Sequence, residues 1–288
     1  MKQVILIHAH KDLEQLNGLV GQLAHDGFII YVNVDAKSAL DVTRISPQAR
    51  LVRKRIAVHW GDWSQVRAVL NSLAEIVEGV PEFDKVVFIS AQDFPLLSNE
   101  ALQQALDAAR GSELLECAPI GPDGWACQER YQYFYWPRGG RFARTAGKVL
   151  LRAMRALGLR RKMAAGMRPY GGSCWWALSR PCIEMLLARV RAEPSLERYF
   201  RTVACPDEMF IQTLVMDSPF AAKVVSNNFR YIRWPDSGAR NPKILDAGDF
   251  DDISRSGAHF CRKIDTAGSA ALLPMLVKLS SRPTARHD

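Results

Sequence analysis

Short apolar runs alternate with segments of helical periodicity over the first 110 residues. Largely uninterrupted apolar runs are typical of strands buried on both faces, and they lie at 2–8, 28–34 and 85–90. Apolar residues spaced three and four positions apart predict helices at 12–24, 64–77 and 99–109. This β-α-β-α-β order predicts an α/β fold, with a mixed, mostly parallel sheet flanked by helices.

Polar residues follow each of these strands where it ends. The clusters are His8-Ala-His10, Asp35-Ala-Lys37 and Ala91-Gln-Asp93. Ligands of parallel α/β sheets bind beyond the carboxyl ends of the strands. The three clusters therefore predict a binding site at one edge of the sheet.

The second half of the chain is less regular. Its aromatic segment at 131–136 predicts a strand, and alternation at 223–234 predicts one or two more. The remaining predicted elements are a strand at 173–178, helices at 180–191 and from Pro206, a short helix at 249–256, and an extended segment at 258–264.

The tripeptide Pro206-Asp207-Glu208 is a candidate catalytic motif. It follows a Gly-Gly-Ser segment at 171–173 and directly precedes an apolar run at 209–216. Proline suits the first turn of a helix, and carboxylates are favoured there by the helix dipole. Two interpretations are open: Glu208 is a general base facing the glycine segment, or Asp207 and Glu208 only cap a helix.

Composition places the chain among ordinary globular proteins. It has 288 residues, of which 48% are hydrophobic and 24% charged, enough for a full hydrophobic core. No apolar stretch approaches the roughly 20 residues of a membrane span, and the N-terminus does not read as a secretion signal. The six cysteines match no zinc-binding spacing. We therefore expect a cytoplasmic protein with reduced thiols.

The net charge of +8 is unevenly distributed. No acidic residue lies between Glu129 and Glu184, whereas ten basic residues lie within 138–168. This segment also carries apolar residues at near-helical spacing, at positions 150, 151, 154, 157 and 159. The pattern predicts a basic amphipathic helix that binds a membrane surface or an anionic partner, or one that packs on its own domain.

Eight short segments in this order resemble the core-2/I-branching β-1,6-N-acetylglucosaminyltransferase family, which also includes the peptide O-xylosyltransferases. They extend from the first strand to about residue 265. The segments are His8-Ala-His-Lys11, Tyr31-Val-Asn-Val-Asp-Ala-Lys-Ser38, Trp63-Ser-Gln-Val66, Phe88-Ile-Ser-Ala-Gln-Asp-Phe-Pro95, Gly172-Ser173 with Ser179-Arg180, Pro206-Asp-Glu208, Arg230-Tyr-Ile-Arg-Trp234 and Phe260-Cys-Arg-Lys263.

The resemblance implies a GT-A glycosyltransferase fold, a UDP-sugar donor and inversion at the anomeric carbon without a metal. Glu208 matches the position of the family's catalytic base, and Lys263 that of its diphosphate-binding lysine. Lys243 stands where the family has an arginine, so it lacks the bidentate fork. The remaining matched positions are Asp35 for the nucleoside, Ile7 and His8 for the base, and Ser90 and Asp93 for the donor sugar.

The residues themselves also favour a site without a metal. The central strand ends in Ser90-Ala-Gln-Asp93, with one aspartate, and the only D-x-D, Asp249-Phe-Asp251, lies on a predicted helix. The phosphates would then depend on basic side chains. Arg230 and Arg233, in a predicted strand near the two lysines, are candidates to add positive charge. No cofactor other than the donor substrate is expected.

These inferences predict one domain over 1–288, with a nucleotide-binding half at 1–110 and an acceptor and catalytic half at 111–280. The expected activity is transfer of a sugar, with N-acetylglucosamine the leading donor, to a glycan or lipid-linked acceptor of a bacterial surface polysaccharide. The expected location is cytoplasmic, or peripheral on the inner membrane face. Two alternatives are open: a non-catalytic UDP-sugar or glycan-binding module, and a nucleic-acid-binding protein suggested only by the basic charge.

Overall fold

A computed structural model describes residues 1–122, 124–135, 141–235 and 241–281, excluding the side chains of 141–144. The chain forms two compact units. The first contains Met1–Arg55, Val80–Gly111 and the described residues from Asn228 onward. The second contains Ile56–Gly79 and Ser112–Asn227. The predicted division into a nucleotide-binding and an acceptor half stays a prediction.

The strands and helices of the described residues follow in chain order. The strands are β1 (Gln3–Ala9), β2 (Phe28–Val34), β3 (Ala49–Leu51), β4 (Lys85–Ser90), β5 (Phe94–Pro95), β6 (Glu113–Leu115), β7 (Ala118–Pro119), β8 (Tyr170–Gly171), β9 (Trp176–Ser179), β10 (Val224–Val225), β11 (Arg230–Ile232) and β12 (Phe260–Arg262). The α-helices are α1 (Leu13–Gln22), α2 (Trp63–Gly79), α3 (Asn99–Ala108), α4 (Glu129–Gln132), α5 (Arg141–Ala156), α6 (Arg180–Ala192), α7 (Pro194–Phe200), α8 (Phe210–Met216), α9 (Phe250–Arg255) and α10 (Leu273–Ser280).

Parallel strands form the centre of the first unit. The order is β4-β1-β2-β3, and all three neighbouring pairs are parallel. Val4 to Ile7 of β1 have no exposed surface, which explains the uninterrupted apolar run. His8 lies opposite Asn33 on one side and Ser90 on the other. This register brings the polar strand ends to a common edge.

A smaller sheet with its own core completes the first unit. Its order is β11-β12-β5, with a parallel and an antiparallel pair. Beside it, Leu245, Ile253, Cys261, Ile264 and Leu276 are buried in one apolar cluster. The cluster holds the segments that precede and follow β12, and so it positions Arg262 and Lys263.

The second unit combines short strands with an aromatic core. β6 pairs in parallel with β10 and antiparallel with β9, while β7 and β8 form an antiparallel pair. Trp63 of α2, Phe200 of α7 and Phe210 of α8 contact one another, and their ring centroids lie 5.0 to 6.4 Å apart. These rings anchor the start of α8, which follows the Pro206 motif directly.

The α/β fold and the elements predicted in the first half are confirmed, with small differences at their ends. The strand predicted at 131–136 is wrong. Residues 131 and 132 belong to α4, 133–135 form no strand, and Trp136 lies outside the described residues. The N–H of Tyr135 donates to the carbonyl of Thr202 at 2.9 Å, a loop contact that replaces a strand ladder.

Two other predicted elements are displaced. The strand expected at 173–178 occupies Trp176–Ser179. The helix expected from Pro206 begins at Phe210, because Pro206–Glu208 form a separate 3-10 turn and Met209 has non-helical angles. The region 223–234 contains two short strands, β10 and β11.

Ser179 and Ser98 offer a matched test of what holds a helix start. Each caps a helix through its hydroxyl, but Ser179 also donates to the buried Glu113 carboxylate at 2.5 Å. We expect Ser98→Ala to lower the free energy of unfolding by about 1 kcal/mol. Ser179→Ala should lower the free energy of unfolding by about 1–3 kcal/mol more than Ser98→Ala does, because it also removes a hydrogen-bond donor from the buried Glu113 carboxylate. Urea denaturation followed by circular dichroism measures both, and equal losses would contradict this role of Glu113.

Candidate functional site

The predicted site residues divide between the two units. Glu208 belongs to the second unit, and the other nine belong to the first. In the first unit they form a strand-end cluster and a basic cluster. In the second unit, Glu208 has neighbours that the sequence did not indicate.

The strand-end cluster is organised by Asp93. This carboxylate is buried, and its Oδ2 accepts hydrogen bonds from the N–H and the hydroxyl of Ser90. Arg262 donates to the Ser90 hydroxyl at 3.2 Å, and its Nη1 lies 3.5 Å from both Asp93 oxygens. The structure therefore joins Ser90, Asp93 and Arg262 in one hydrogen-bonded group, and the predicted role of Ser90 and Asp93 toward the donor sugar stays a prediction.

His8 contributes a neutral imidazole to the same edge. Its ring lies edge-on against Phe88, with centroids 4.7 Å apart, and its Nε2 is buried without a hydrogen-bond partner. Burial lowers the pKa of His8 to about 3, although the Asp35 charge acts in the opposite direction. The adjacent Ile7 has no exposed surface, and its predicted role stays a prediction.

Asp35 closes the turn after β2. It is buried, and its carboxylate accepts hydrogen bonds from the backbone N–H and the ammonium group of Lys37. Its own N–H donates to the carbonyl of Ala9 at 2.9 Å. These bonds fix the carboxylate close to the end of β1.

The two predicted phosphate lysines are neighbours through the backbone. The N–H of Lys263 donates to the carbonyl of Lys243 at 3.3 Å. Their side chains differ in environment. Lys243 contacts Asp249 at 2.8 Å and Asp246 at 2.9 Å, and these hydrogen bonds raise its pKa. Burial and the charges of Arg262 and Lys11 lower the pKa of Lys263.

The two predicted arginines are held by protein groups. Arg233 donates to the buried Asp249 carboxylate at 2.6 Å, so Asp249 holds both Arg233 and Lys243. Arg230 donates to the backbone carbonyls of Phe88 and Asn228 at 2.6 and 2.8 Å. The first aspartate of the only D-x-D therefore binds cationic side chains. Among the described residues, no three His, Cys, Asp or Glu side chains are grouped as metal ligands would be.

Glu208 lies on the 3-10 turn Pro206–Glu208 of the second unit. Cys205 enters this turn with a positive φ of 47°. The carbonyl of Glu208 accepts a hydrogen bond from the N–H of Gly172 at 3.0 Å. A Cβ at Gly172 would lie 1.9 Å from the carbonyl oxygen of Glu116, so only glycine can lie this close to the Glu116 backbone. The backbone of Gly172 thus contacts the backbone of Glu208, while the predicted role of the Glu208 carboxylate as a general base stays a prediction.

The carboxylate of Glu208 pairs with Arg130 and remains about one-third exposed. Arg130 also lies over the ring of Trp125, 5.7 Å from its centroid. Burial and the charge of Glu208 raise the pKa of Glu116. The interpretation of Asp207 and Glu208 as helix caps is wrong, because α8 has no side-chain cap and both carboxylates have other contacts.

Asp207 has one carboxylate oxygen that is hydrogen-bonded and one that is not. Its Oδ2 accepts a hydrogen bond from Gln65 at 3.0 Å, and its Oδ1 is shielded from solvent without a partner. Burial and the neighbouring Glu208 raise the pKa of Asp207 to about 7.

Sequence reasoning missed Arg262, Asp207 and Arg130 as site residues. Arg262 could have been found, because it adjoins Lys263 in the segment Phe260-Cys-Arg-Lys263. Asp207 was named only as part of its tripeptide, and its burial could not be read from the local sequence. Arg130 precedes Glu208 by 78 positions, and no spacing rule connects such residues.

A family model described as Core-2/I-Branching enzyme matches residues 5–254. The chain therefore belongs to the Core-2/I-Branching enzyme family, and the predicted resemblance is confirmed. The mostly parallel α/β sheet expected with it agrees with the observed strand pairing. None of the described helices is both long and apolar enough to cross a bilayer.

The chain is similar to several xylosyltransferases. Xylosyltransferase oxt of Drosophila pseudoobscura pseudoobscura is 26% identical over 231 residues, which are 77% of this chain and 25% of that protein. Xylosyltransferase 2 of Canis lupus familiaris is 26% identical over 247 residues, 80% of this chain and 26% of that protein. Xylosyltransferase 1 of Homo sapiens is 25% identical over 244 residues, which are 80% of this chain and 24% of that protein. The chain thus spans about a quarter of the length of these relatives.

One solved structure with a similar chain is the apo-form glycosyltransferase GlyE of Streptococcus pneumoniae TIGR4. The TM-score is 0.35 and the sequence identity is 10%. The match covers 98% of this chain and 61% of the GlyE chain.

The raised pKa of Asp207 predicts a pH-dependent stability. The folded chain binds this proton more tightly than the unfolded chain, so stability should fall as pH rises from about 4 through about 7. Asp207→Asn should reduce this slope, because an amide does not ionise. Melting temperatures between pH 5 and pH 8.5 test this, with the exposed Asp251→Asn as control. A slope that Asp207→Asn leaves unchanged would exclude Asp207 as its source.

Proposed function

We propose that this chain is an inverting glycosyltransferase that moves a sugar from a UDP-sugar to a glycan hydroxyl without a divalent metal. Two observations support the proposal. The chain matches the family over residues 5–254, and the carboxylate of Glu208, which the resemblance assigns as the catalytic base, is partly exposed. N-acetylglucosamine and xylose are the two candidate sugars, the second because the similar proteins are named xylosyltransferases. The proposed setting is synthesis of a bacterial surface polysaccharide at the cytoplasmic face of the membrane.

Glu208 would act as the general base. One oxygen, Oε2, accepts from Arg130, and the other would take the proton of the acceptor hydroxyl. As that proton leaves, the hydroxyl oxygen bonds to the anomeric carbon from the face opposite UDP. The bond from this carbon to the diphosphate oxygen breaks, and UDP leaves with the electron pair. A positioned base of this kind contributes about 10²–10⁴-fold to the rate.

Lys263 is the stronger of the two candidates for binding the diphosphate. Its ammonium group is half-buried and repelled by Arg262 and Lys11, as its lowered pKa indicates. An anion bound there would relieve this repulsion and receive charge-assisted hydrogen bonds. Lys243 is already neutralised by Asp246 and Asp249, so we assign it to holding the β12 region in place.

His8 and Asp35 are proposed to meet the base and the nucleoside. The buried, unpartnered Nε2 of His8 supports this, because a buried polar atom without a partner costs free energy that a ligand could recover. Ser90, Asp93 and Arg262 would meet the donor sugar, since they form one hydrogen-bonded group at the end of β4.

Lysine substitutions separate the two proposed roles. We expect Lys263→Met to weaken UDP binding about 10–100-fold, the loss of a charge-assisted hydrogen bond. Lys243→Met should weaken UDP binding less, but lower the free energy of unfolding by about 1–3 kcal/mol by removing a partner from buried Asp249. Calorimetric titration with UDP and urea denaturation measure the two effects. The reverse pattern would assign the phosphate to Lys243.

Glu208→Gln tests the catalytic step. We expect kcat to fall about 10²–10⁴-fold, with UDP affinity unchanged and the fold retained. The assay is hydrolysis or transfer from UDP-N-acetylglucosamine and UDP-xylose in the presence of EDTA, with the exposed Glu184→Gln as control. Full activity of Glu208→Gln would remove it as the base, and strict dependence on an added cation would overturn the metal-free proposal. UDP binding without turnover of any donor would favour a non-catalytic binding module.

A further inference from the structure

Exposed apolar side chains cluster on and just after α5. Of the eleven large apolar side chains exposed in the described residues, four lie within 149–159. Their exposed fractions are 57% for Val149, 37% for Leu150, 71% for Leu157 and 55% for Leu159. A cluster of this kind on a globular protein marks an interaction surface.

The helix has three sides with different chemistry. Met154 is buried and Leu151 half-buried, so this side packs on the second unit. Val149, Ala153 and Leu157, spaced four apart, form an exposed apolar row. Lys148 and Arg152, also spaced four apart, form an exposed basic row. The predicted alternative, a helix whose apolar side packs on its own domain, holds for Met154 and Leu151 but not for Leu157 and Leu159, which are exposed.

The segment after α5 is anchored. The guanidinium of Arg161 lies 4.2 Å from the ring centroids of both Phe134 and Tyr199, and it donates to the carbonyls of Tyr133 and Thr202. The charge of Arg161 is therefore already in contact with groups of the second unit. The flanking Arg160 and Lys162 are exposed and extend the basic row beyond the helix.

We infer that this surface binds the interface of an anionic lipid bilayer. We call it the α5 surface: Val149, Leu150, Leu157 and Leu159 with Lys148, Arg152, Arg160 and Lys162. The apolar side chains would enter the boundary between headgroups and acyl chains, and the basic ones would pair with lipid phosphates. This deepens the location given under the proposed function, but it does not depend on sugar transfer.

Charge and apolar exposure together favour a bilayer over other partners. The absence of acidic residues between Glu129 and Glu184 leaves the α5 surface with little internal charge compensation. Within 145–168, Arg155 is compensated from outside, by Glu129 at 2.6 Å. A soluble polyanion such as nucleic acid would pair with the basic row, but it would leave the exposed leucines in water. Only a partner that is both anionic and apolar satisfies both rows.

Vesicle sedimentation with the full chain and no sugar donor tests the inference. The vesicles contain phosphatidylcholine alone, or phosphatidylcholine mixed with the anionic lipid phosphatidylglycerol, which attracts basic surface residues. We expect binding to the anionic vesicles and at least tenfold weaker binding to the neutral ones. Equal partitioning into both, or no binding to either, would overturn the inference.

Two sets of variants separate insertion from simple charge attraction. Val149→Ser with Leu157→Ser and Leu159→Ser should weaken binding to anionic vesicles at least tenfold, because the apolar contact is lost. Lys148→Gln with Arg152→Gln, Arg160→Gln and Lys162→Gln should remove the preference for anionic lipid. Val225→Ser with Val277→Ser, which changes exposed valines elsewhere, should leave binding unchanged.

Unchanged binding by the serine variant, with loss in the glutamine variant, would show charge attraction alone and contradict insertion. A soluble polyanion would be indicated instead by two results together. Heparin would reduce vesicle binding as much as the glutamine substitutions do, and the serine substitutions would leave vesicle binding unchanged. Unchanged melting temperatures and UDP affinity in each variant show that the fold is intact. Loss of vesicle binding with UDP affinity retained would also separate this inference from the proposed transfer activity.

Discussion

The site in the first unit depends on the backbone hydrogen bonds that join β1 to β2 and β4. These strands are buried on both faces, so their register is fixed by apolar packing as well as by the ladders. The register places His8 between Asn33 and Ser90, and the bonds continue past the strands, from Asp35 to Ala9 and from Ala91 to His8. A slip by one residue would turn every polar side chain of this edge to the other face.

Charge pairing divides the basic residues into structural and available ones. Asp249 is buried and accepts hydrogen bonds from both Arg233 and Lys243, so the charges of these two candidate phosphate ligands are already paired within the protein. Lys263 instead lies half-buried near Arg262 and Lys11, and its pKa is lowered first by burial and then by these like charges. The same distinction holds in the second unit. The guanidinium of Arg161 contacts two aromatic rings and donates to backbone carbonyls, whereas Arg160 and Lys162 are exposed. Counting basic residues therefore overstates the charge that is free to bind a ligand.

Much of the first half of the fold could be predicted, and less of the second. Buried strands and amphipathic helices have periods of two and 3.6 residues, which local sequence records directly. The aromatic segment at 131–136 has no such period, and its tyrosines bind residues of distant segments, as Tyr135 does with Thr202. The positive φ at Cys205 and the non-helical Met209, which separate the Pro206 turn from α8, likewise have no local signature. The capping prediction failed there because the carboxylates found tertiary partners, Gln65 and Arg130, instead of helix N–H groups.

By itself, the sequence determined the α/β class, the polar strand ends, the family and the candidate residues, because apolar period and ordered motifs are properties of neighbouring residues. Tertiary structure decided which of those residues have free charge, that Arg262 joins Ser90 and Asp93, that Gly172 contacts the Glu208 turn, and that the apolar row of α5 faces solvent. These features depend on groups far apart in the chain. Their burial and pairing exist only after the chain has folded, so no local pattern could record them.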